Sequence, residues 1–330
     1  MGDRATILGD GQLGLVAADV LRQNGHRATI WSPVADEAAR LLRTRASDRL
    51  PGHRIHADIT IETDPGRALE GASFVFSAIP TQYLRQVIGR LAPCLPTARD
   101  PIMASATKGI EVCSGLRPSE LWLELAGTPS VVVSGPNIAT ELAREQPAAM
   151  VAASADPRRA AATQEALSRP WLRVYTNDDP VGVELCGALK NVIALAAGML
   201  DGLEAGYNAK SMLLARGLAE MRRFGMAFGA RDDTFSGLAG VGDLATTCFC
   251  PEGRNRSTGE ALARGKSLQE ILAGSHSVIE GVPTARAVVE RAAGQSLDVP
   301  IAVAVHAVCE GRTSPRDALA QLMGRSPRGE

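Results

Sequence analysis

One glycine pattern near the start of the chain constrains the fold more than any other feature of the sequence. Gly9, Gly11 and Gly14 have the spacing G-x-G-x-x-G, with an apolar run directly before them and an amphipathic stretch after them. In a strand–turn–helix unit, the first glycine permits the tight turn, the second lets the backbone approach a pyrophosphate, and the third lets the helix pack on the strand. The pattern predicts a Rossmann-type dinucleotide-binding fold; the alternative is a glycine-rich turn in an unrelated α/β fold.

The first 180 or so residues alternate between short apolar runs and amphipathic stretches. This alternation is typical of βαβ units and predicts a mostly parallel sheet, and continuous apolar runs fit strands that are covered on both faces. Strands are predicted over residues 5–8, 28–31, 74–78, 102–104, 131–134 and 148–153.

The pattern changes at a polar cluster, Asn177 to Asp179, that is closed by Pro180. A proline in this context marks a turn and can occupy the first turn of a helix. Helical spacing then recurs over residues 181–199, 211–229, 258–263, 268–273, 283–292, 300–310 and 315–322. We therefore expect a Rossmann-type α/β domain over residues 1–179 and an all-helical substrate-binding domain over residues 180–330.

The charge balance limits the partners of the chain. Lysine plus arginine number 35 against 36 aspartate plus glutamate, so no broad electrostatic footprint for nucleic acid or for an anionic membrane is expected. The basic run from Arg43 to His56 lacks interleaved aromatic residues and is interpreted as a solvated loop. No apolar run approaches the ~20 residues of a membrane span.

The cysteines and the first residues indicate the compartment. Six cysteines are dispersed along the chain, and no charged-then-apolar leader is apparent, so a cytoplasmic location is expected. The close pair Cys248 and Cys250 lacks a second pair or a nearby histidine to complete a tetrahedral site, so we predict no metal.

Lysine is scarce, which draws attention to the four positions where it occurs. They are Lys108, Lys190, Lys210 and Lys266, and every other basic residue in the count is arginine. A lysine can be deprotonated at accessible cost, whereas a guanidinium effectively cannot. Lys190 interrupts an apolar helical run, where burial would lower the pKa of its ammonium toward the range useful for proton transfer. The alternative is that Lys190 snorkels to the surface or forms a structural pair.

Two more polar segments have both a chemical and a structural interpretation. Asp243 follows glycines and precedes an apolar segment, so it is either a helix cap or a charge partner. Arg254, Asn255 and Arg256 could grip a phosphate or lie on a solvated loop. These residues alone leave both alternatives open.

The end of the second predicted strand bears on the choice of cofactor. In NAD-specific folds an acidic residue at this place holds the 2′-hydroxyl of the ribose. Here Trp31, Ser32 and Pro33 supply no carboxylate to repel a 2′-phosphate, and neither Arg27 nor Arg40 is placed to clamp one. NADPH and NADH therefore both stay open.

Eight short segments, taken in order, carry a resemblance to a known family. They are G-x-G-x-x-G at 9–14, A-T-K-G at 106–109, S-G-P at 134–136, L-K-N-V at 189–192, R-G-L-A-E-M at 216–221, G-x-G-D-L at 240–244, R-N-R at 254–256 and E-G at 280–281. The chain resembles, over nearly its whole length, the bacterial type of NAD(P)-dependent sn-glycerol-3-phosphate dehydrogenase. The resemblance implies hydride transfer between NAD(P)H and dihydroxyacetone phosphate, which gives sn-glycerol 3-phosphate for phospholipid synthesis. It also implies that the chain forms a homodimer.

The resemblance also implies roles for individual residues. Lys190 becomes the proton donor and acceptor at the substrate C2 oxygen, with Asp243 orienting it and Lys108 nearby. The implied substrate-binding residues are Lys108, Gly135, Asn137, Lys190, Asn191, Asp243, Thr247, Gly253, Arg254 and Asn255. The implied cofactor-binding residues are Gly9, Gly11, Gln12, Leu13, Gly14, Ser32, Pro33, Lys108, Ala139, Arg254, Val278 and Glu280.

The chain departs from the family pattern at several of these positions. Gln12 and Leu13 stand where a Ser-Tyr pair is usual, Asn137 where threonine is common, and Gly253 where serine is frequent. Pro33 stands where a basic residue often reads the 2′-phosphate, which leaves the preference for NADP in doubt.

Two other functions stay as alternatives. A related dehydrogenase with a helical second domain, such as a ketopantoate reductase or a β-hydroxyacid type, would not require the phosphate anchor of residues 253–256. A catalytically silent dinucleotide sensor would have no use for a proton-transfer lysine at position 190.

Overall fold

The computed structural model describes residues 3–96, 100–275 and 278–326. These residues form two compact units. The first contains the chain up to Lys108 and Arg117–Glu184, and the second contains Gly109–Leu116 and the chain from Leu185 onward. The helix that begins at Pro180 starts in the first unit and continues into the second, and a short segment of eight residues also belongs to the second.

The first unit is built on an eight-stranded sheet. Its strands are β1 (Arg4–Leu8), β2 (Arg27–Trp31), β3 (Thr60–Glu62), β4 (Ala72–Ser77), β5 (Ile102–Ser105), β6 (Ser130–Ser134), β7 (Ala148–Ala153) and β8 (Leu172–Asn177). Their order is β3-β2-β1-β4-β5-β6-β7-β8. Neighbouring strands are parallel except β6 and β7, which are antiparallel. The predicted α/β domain with a mostly parallel sheet is confirmed.

Helices cover this sheet and account for its apolar strands. They are α1 (Gln12–Gln23), α2 (Ala35–Thr44), α3 (Pro65–Leu69), α4 (Thr81–Leu91), α5 (Pro118–Ala126), α6 (Ala139–Leu142) and α7 (Pro157–Leu167). Ile7, Ile30 and Phe76, from three adjacent strands, are fully buried in one core. Because successive residues of the central strands face covered surfaces on both sides, those strands are continuous apolar runs.

Beyond β8, the described residues form helices and no strand, as the sequence predicts. The helices are α8 (Pro180–Gly202), α9 (Gly206–Ala227), α10 (Asp243–Phe249), α11 (Arg254–Ala263), α12 (Leu268–Ala273), α13 (Gly281–Ala293), α14 (Pro300–Cys309) and α15 (Pro315–Met323), and a short π-helix, Leu238–Gly242, precedes α10. The carboxylate of Asp179 accepts a hydrogen bond from the Gly182 amide (2.9 Å) and caps α8.

Helix α8 is the apolar centre of this part of the chain. Among the described residues it alone has the length and hydropathy of a membrane-spanning helix, and 94% of its most apolar window is buried in the fold. Its backbone touches that of α11, because a side chain at Gly198 would overlap the Arg256 carbonyl and one at Gly259 would overlap the Leu195 carbonyl. Glycine at these positions therefore sets the spacing of the two helices.

Candidate active site

The turn between β1 and α1 fits a pyrophosphate. Gly9 has a φ of 102°, and a side chain at Gly14 would overlap the Gly9 carbonyl, so the helix packs on the strand as predicted. A Cβ at Gly11 would meet nothing within 4 Å. The N-cap of α1 is Gly11, which has no side chain to cap the first turn, so the backbone N–H groups and the positive dipole end of the helix are available to a phosphate.

The end of β2 holds a polar cluster that sequence reasoning missed. The Ser32 hydroxyl donates to one carboxylate oxygen of Asp10 (2.7 Å), and the Arg49 guanidinium donates to the other (2.5 Å). The Gln12 side chain donates to the Arg49 carbonyl (2.5 Å). Arg49 belongs to the basic run interpreted above as a solvated loop, and that interpretation is wrong at this residue, because the loop is tied onto the glycine-rich turn.

Lys108 lies just beyond β5, at the carboxyl edge of the sheet. Its ammonium donates to the Gly135 carbonyl (3.0 Å) and to the Asn137 side-chain oxygen (3.1 Å), both just beyond β6. Gly135 has a φ of 117°, and a Cβ there would approach the Ala149 carbonyl at 3.2 Å. Ligands of open parallel sheets bind outside this edge, so the cluster stands where the sequence predicts substrate or cofactor contacts.

Lys190 is buried and paired in the second unit. Its side chain is 7% exposed, and its ammonium donates to the Asp243 carboxylate (2.5 Å) and to the Thr247 hydroxyl (2.7 Å). Thr247 in turn donates to the Asp243 carbonyl one helical turn earlier (2.7 Å). Asp243 is therefore a charge partner of Lys190, and the N-cap of α10 is Gly242, the residue before it.

The arrangement leaves Lys190 able to act on a ligand. An ammonium has three N–H donors, and within the described residues two of them have protein partners, so a third is left for an acceptor. The neighbouring Cys248 is not a competing nucleophile, because burial raises the pKa of its thiol to about 12, although the positive charges of Lys190 and Lys210 act in the opposite direction.

A second cluster joins the starts of α11 and α13. The Asn255 side chain donates to the Asn191 side-chain oxygen (3.0 Å) and accepts from the backbone amide of Gly281 (2.9 Å). Gly281 is the residue that follows Glu280 in the chain. The exposed Arg254 guanidinium donates to the Val278 carbonyl (3.1 Å).

Arg256 has a structural role, unlike Arg254. Its guanidinium donates to the carboxylates of Asp201 (2.5 Å) and Glu260 (2.8 Å) and to the carbonyls of Cys250 (3.1 Å) and Pro251 (3.2 Å). These bonds fix the loop that precedes α11 and thereby the position of Arg254.

The predicted site residues divide between the two units. The first unit holds Gly9, Gly11, Gln12, Leu13, Gly14, Ser32, Pro33, Lys108, Gly135, Asn137 and Ala139. The second holds Lys190, Asn191, Asp243, Thr247, Gly253, Arg254, Asn255, Val278 and Glu280.

Comparisons with known proteins agree over the length of the chain. Residues 4–160 match the model of the NAD-dependent glycerol-3-phosphate dehydrogenase N-terminus, and residues 179–320 match that of its C-terminus. Glycerol-3-phosphate dehydrogenase (NAD(P)+) 2 of Mycobacterium tuberculosis is 42% identical over 98% of this chain and 97% of its own. The corresponding enzyme of Syntrophotalea carbinolica is 41% identical, over 98% of each chain. The crystal structure of glycerol-3-phosphate dehydrogenase from Coxiella burnetii superposes with a TM-score of 0.94 at 33% identity, covering 98% of this chain and 99% of that one.

Proposed function

The chain belongs to the NAD-dependent glycerol-3-phosphate dehydrogenase family, and from that premise we propose how its own residues carry the reaction. It is an oxidoreductase that interconverts dihydroxyacetone phosphate and sn-glycerol 3-phosphate with NAD(P)H. The observation that carries the mechanism is the buried Lys190, whose ammonium is held by Asp243 and Thr247 and keeps one N–H without a partner among the described residues.

Lys190 is the proton donor in the reducing direction. When bound, the reduced nicotinamide supplies the hydride that adds to C2 of the ketone. Reduction builds negative charge on the C2 oxygen, and a fixed ammonium stabilises that charge more than it stabilises the neutral ketone. Lys190 then passes its proton to this oxygen, and in the oxidising direction the neutral amine takes the hydroxyl proton.

Asp243 and Thr247 orient the ammonium. Charge-assisted hydrogen bonds to a carboxylate and a hydroxyl hold Nζ at one position in a buried environment. The carboxylate also stands where a substrate hydroxyl could donate to it. Proton transfer needs this kind of fixed geometry between donor and acceptor.

The substrate phosphate is anchored at the start of α11. The exposed guanidinium of Arg254, together with Gly253, Asn255 and Asn191, forms the anchor. Binding energy from the phosphate positions C2 for reaction, although the phosphate takes no part in the chemistry. This remote anchor distinguishes a phosphorylated ketone from ketopantoate and from unphosphorylated dihydroxyacetone.

Residues 1–179 bind the dinucleotide in this proposal, and residues 180–330 bind the substrate. The uncapped start of α1 holds the pyrophosphate, and Lys108, fixed by Gly135 and Asn137, adds a positive charge for the anionic ligands.

The setting of the enzyme is also part of the proposal. The chain acts as a homodimer in the cytoplasm, without membrane insertion, and its product supplies phospholipid synthesis. The burial of the apolar helix α8 inside the fold supports a protein that stays outside the bilayer.

The test is the oxidation of NADPH and NADH by the purified protein, followed by absorbance, with three ketones in parallel. We expect turnover with dihydroxyacetone phosphate and little with dihydroxyacetone or ketopantoate. Turnover of ketopantoate alone would favour the related reductase, and cofactor binding without turnover of any ketone would favour the sensor.

A further inference from the structure

We propose that Arg49 selects NADPH over NADH by binding the 2′-phosphate of the adenosine ribose. This inference rests on the dinucleotide site of the proposed function and names the residue that sets its specificity. In this fold the residues at the end of β2 contact the 2′ position of the adenosine ribose and so distinguish a 2′-phosphate from a 2′-hydroxyl. Ser32 and Pro33, which follow the strand, carry no positive charge.

Arg49 brings a cation to this place from the loop between α2 and β3. Arg49 and Ser32 donate to the two oxygens of one carboxylate, that of Asp10, at 2.5 and 2.7 Å. The guanidinium and Ser32, the residue that follows β2, are therefore joined through one shared carboxylate.

Part of the guanidinium is left for a ligand. Within the described residues Arg49 uses one terminal nitrogen on Asp10, and its other N–H groups make no hydrogen bond to protein. The side chain is 36% exposed. Because the guanidinium is a planar fork of five donors, the unused edge can donate to two oxygens of a phosphate monoester.

The loop holds Arg49 in this position before any ligand arrives. The Gln12 side chain binds the Arg49 carbonyl at 2.5 Å, the Ser47 hydroxyl accepts from the Arg49 amide at 3.2 Å, and Leu50 is buried in the core of the sheet. A pre-organised donor loses less conformational entropy when a ligand binds.

Arg40, the other arginine considered for the 2′-phosphate, already forms salt bridges. Arg40 donates to the carboxylates of Glu37 (2.6 Å) and Asp48, so its charge is already neutralised.

Because Asp10 is negatively charged, the preference between NADPH and NADH depends on whether Arg49 is present to balance that charge. With Arg49 present, the charge of the carboxylate is balanced and a phosphate is not repelled. Without Arg49, the Asp10 carboxylate, which is 7% exposed, keeps only the Ser32 hydroxyl as a side-chain partner among the described residues. It then repels a 2′-phosphate and can accept from a 2′-hydroxyl. Loss of the arginine should therefore move the preference toward NADH.

The test compares the affinity for 2′-phospho-ADP-ribose with that for ADP-ribose by calorimetry, and kcat/KM for NADPH with that for NADH. The variants are Arg49→Gln and Arg49→Lys, with Arg43→Gln as the matched control, because Arg43 is an exposed arginine of the same basic run. Melting temperatures show whether each variant is folded.

We expect the wild type to bind the 2′-phosphorylated ligand more tightly and Arg49→Gln to lose about ten- to a hundredfold of that preference, the usual effect of removing a charge-assisted pair of hydrogen bonds. Arg49→Lys should keep part of the preference, and Arg43→Gln all of it. Equal binding of the two ligands by the wild type, or an unchanged ratio in Arg49→Gln, would overturn the proposal. The calorimetry requires no turnover, so failure of the dehydrogenase assay is a separate result.

Discussion

The second unit contains two pairs built from the same groups, Lys190 with Asp243 and Lys210 with Asp201, but their surroundings differ. Lys210 donates to both oxygens of Asp201 at 2.8 Å, Arg256 donates to one of them at 2.5 Å, and the Lys210 ammonium lies 4.9 Å from the centre of the Phe249 ring. Lys190 touches one oxygen of Asp243 and a neutral hydroxyl.

The difference separates a structural lysine from a chemical one. Around Asp201 two cations share one carboxylate and an aromatic ring covers the ammonium, so this pair ties α9 to α8 and to the start of α11. In the part of the chain that the structure describes, one N–H of the Lys190 ammonium has no hydrogen-bond partner, so the nitrogen can stabilise a developing negative charge. Burial and an ion pair are common to both, so neither feature alone identifies the catalytic lysine.

The largest effect that this comparison predicts is on turnover in Lys190→Ala. Loss of a general acid typically lowers the rate by about 100- to 10,000-fold, and kcat should fall in that range. The Kd for NADPH should stay near that of the wild type, because Lys190 is not among the residues assigned to the cofactor. Lys190→Arg, which keeps the charge but cannot give up its proton, should also be slow. Wild-type kcat with weakened cofactor binding would make Lys190 a binding residue.

The next largest effect is the loss of stability in Lys210→Met. Removing one partner of a buried pair typically costs about 3–5 kcal/mol, and we expect less, because Arg256 still balances the charge of Asp201. The free energy of unfolding in urea should fall by about 2 kcal/mol, with kcat of the folded enzyme within a few-fold of the wild type. Lys266→Met, at an exposed lysine, is the control and should change neither. A large loss of kcat in folded Lys210→Met would contradict the structural assignment.

The two lysines also show what the sequence could and could not reveal about the site. Lys190 interrupts an apolar helix, so periodicity alone marks it. Lys210 sits in a polar stretch after Tyr207 and Asn208, and its burial comes from Asp201 on the preceding helix, α8, and from Phe249 on α10. Periodicity reports the face of one helix and carries no information on which other elements cover it.

The same limit applies to the fold and to the cofactor end of the site. The six predicted strands are present, while β3 has three residues and β8 alternates buried with exposed residues in its first half, so neither forms an apolar run. The reversal between β6 and β7 is not encoded in either strand. Arg49 reaches Asp10 across 39 positions, a contact that only the folded loop creates.

The third prediction concerns a buried carboxylate that forms no salt bridge with any residue the structure describes. Glu220, on α9, accepts hydrogen bonds from the amides of Ile301 and Ala302 at 2.9 Å. Burial raises its pKa from 4.5 to about 7, although those hydrogen bonds and the charge of Arg223 act against the shift. This group shows what burial does to a charge without the direct ion pair that Asp201 and Asp243 have.

The sign of its effect on stability follows from proton binding. Between pH 4.5 and about 7 the folded chain holds a proton on Glu220 that the unfolded chain has lost. The free energy of unfolding therefore falls as pH rises through this window, by at most about 1.4 kcal/mol per pH unit, and it levels off above about pH 7. Glu220→Gln cannot ionise, and its packing cost is the same at every pH. The free energy of unfolding of the variant relative to the wild type should therefore rise from pH 5 to pH 8. A difference that does not change with pH would mean that Glu220 is charged throughout, and that two backbone amides can replace the cation that Asp201 and Asp243 each require.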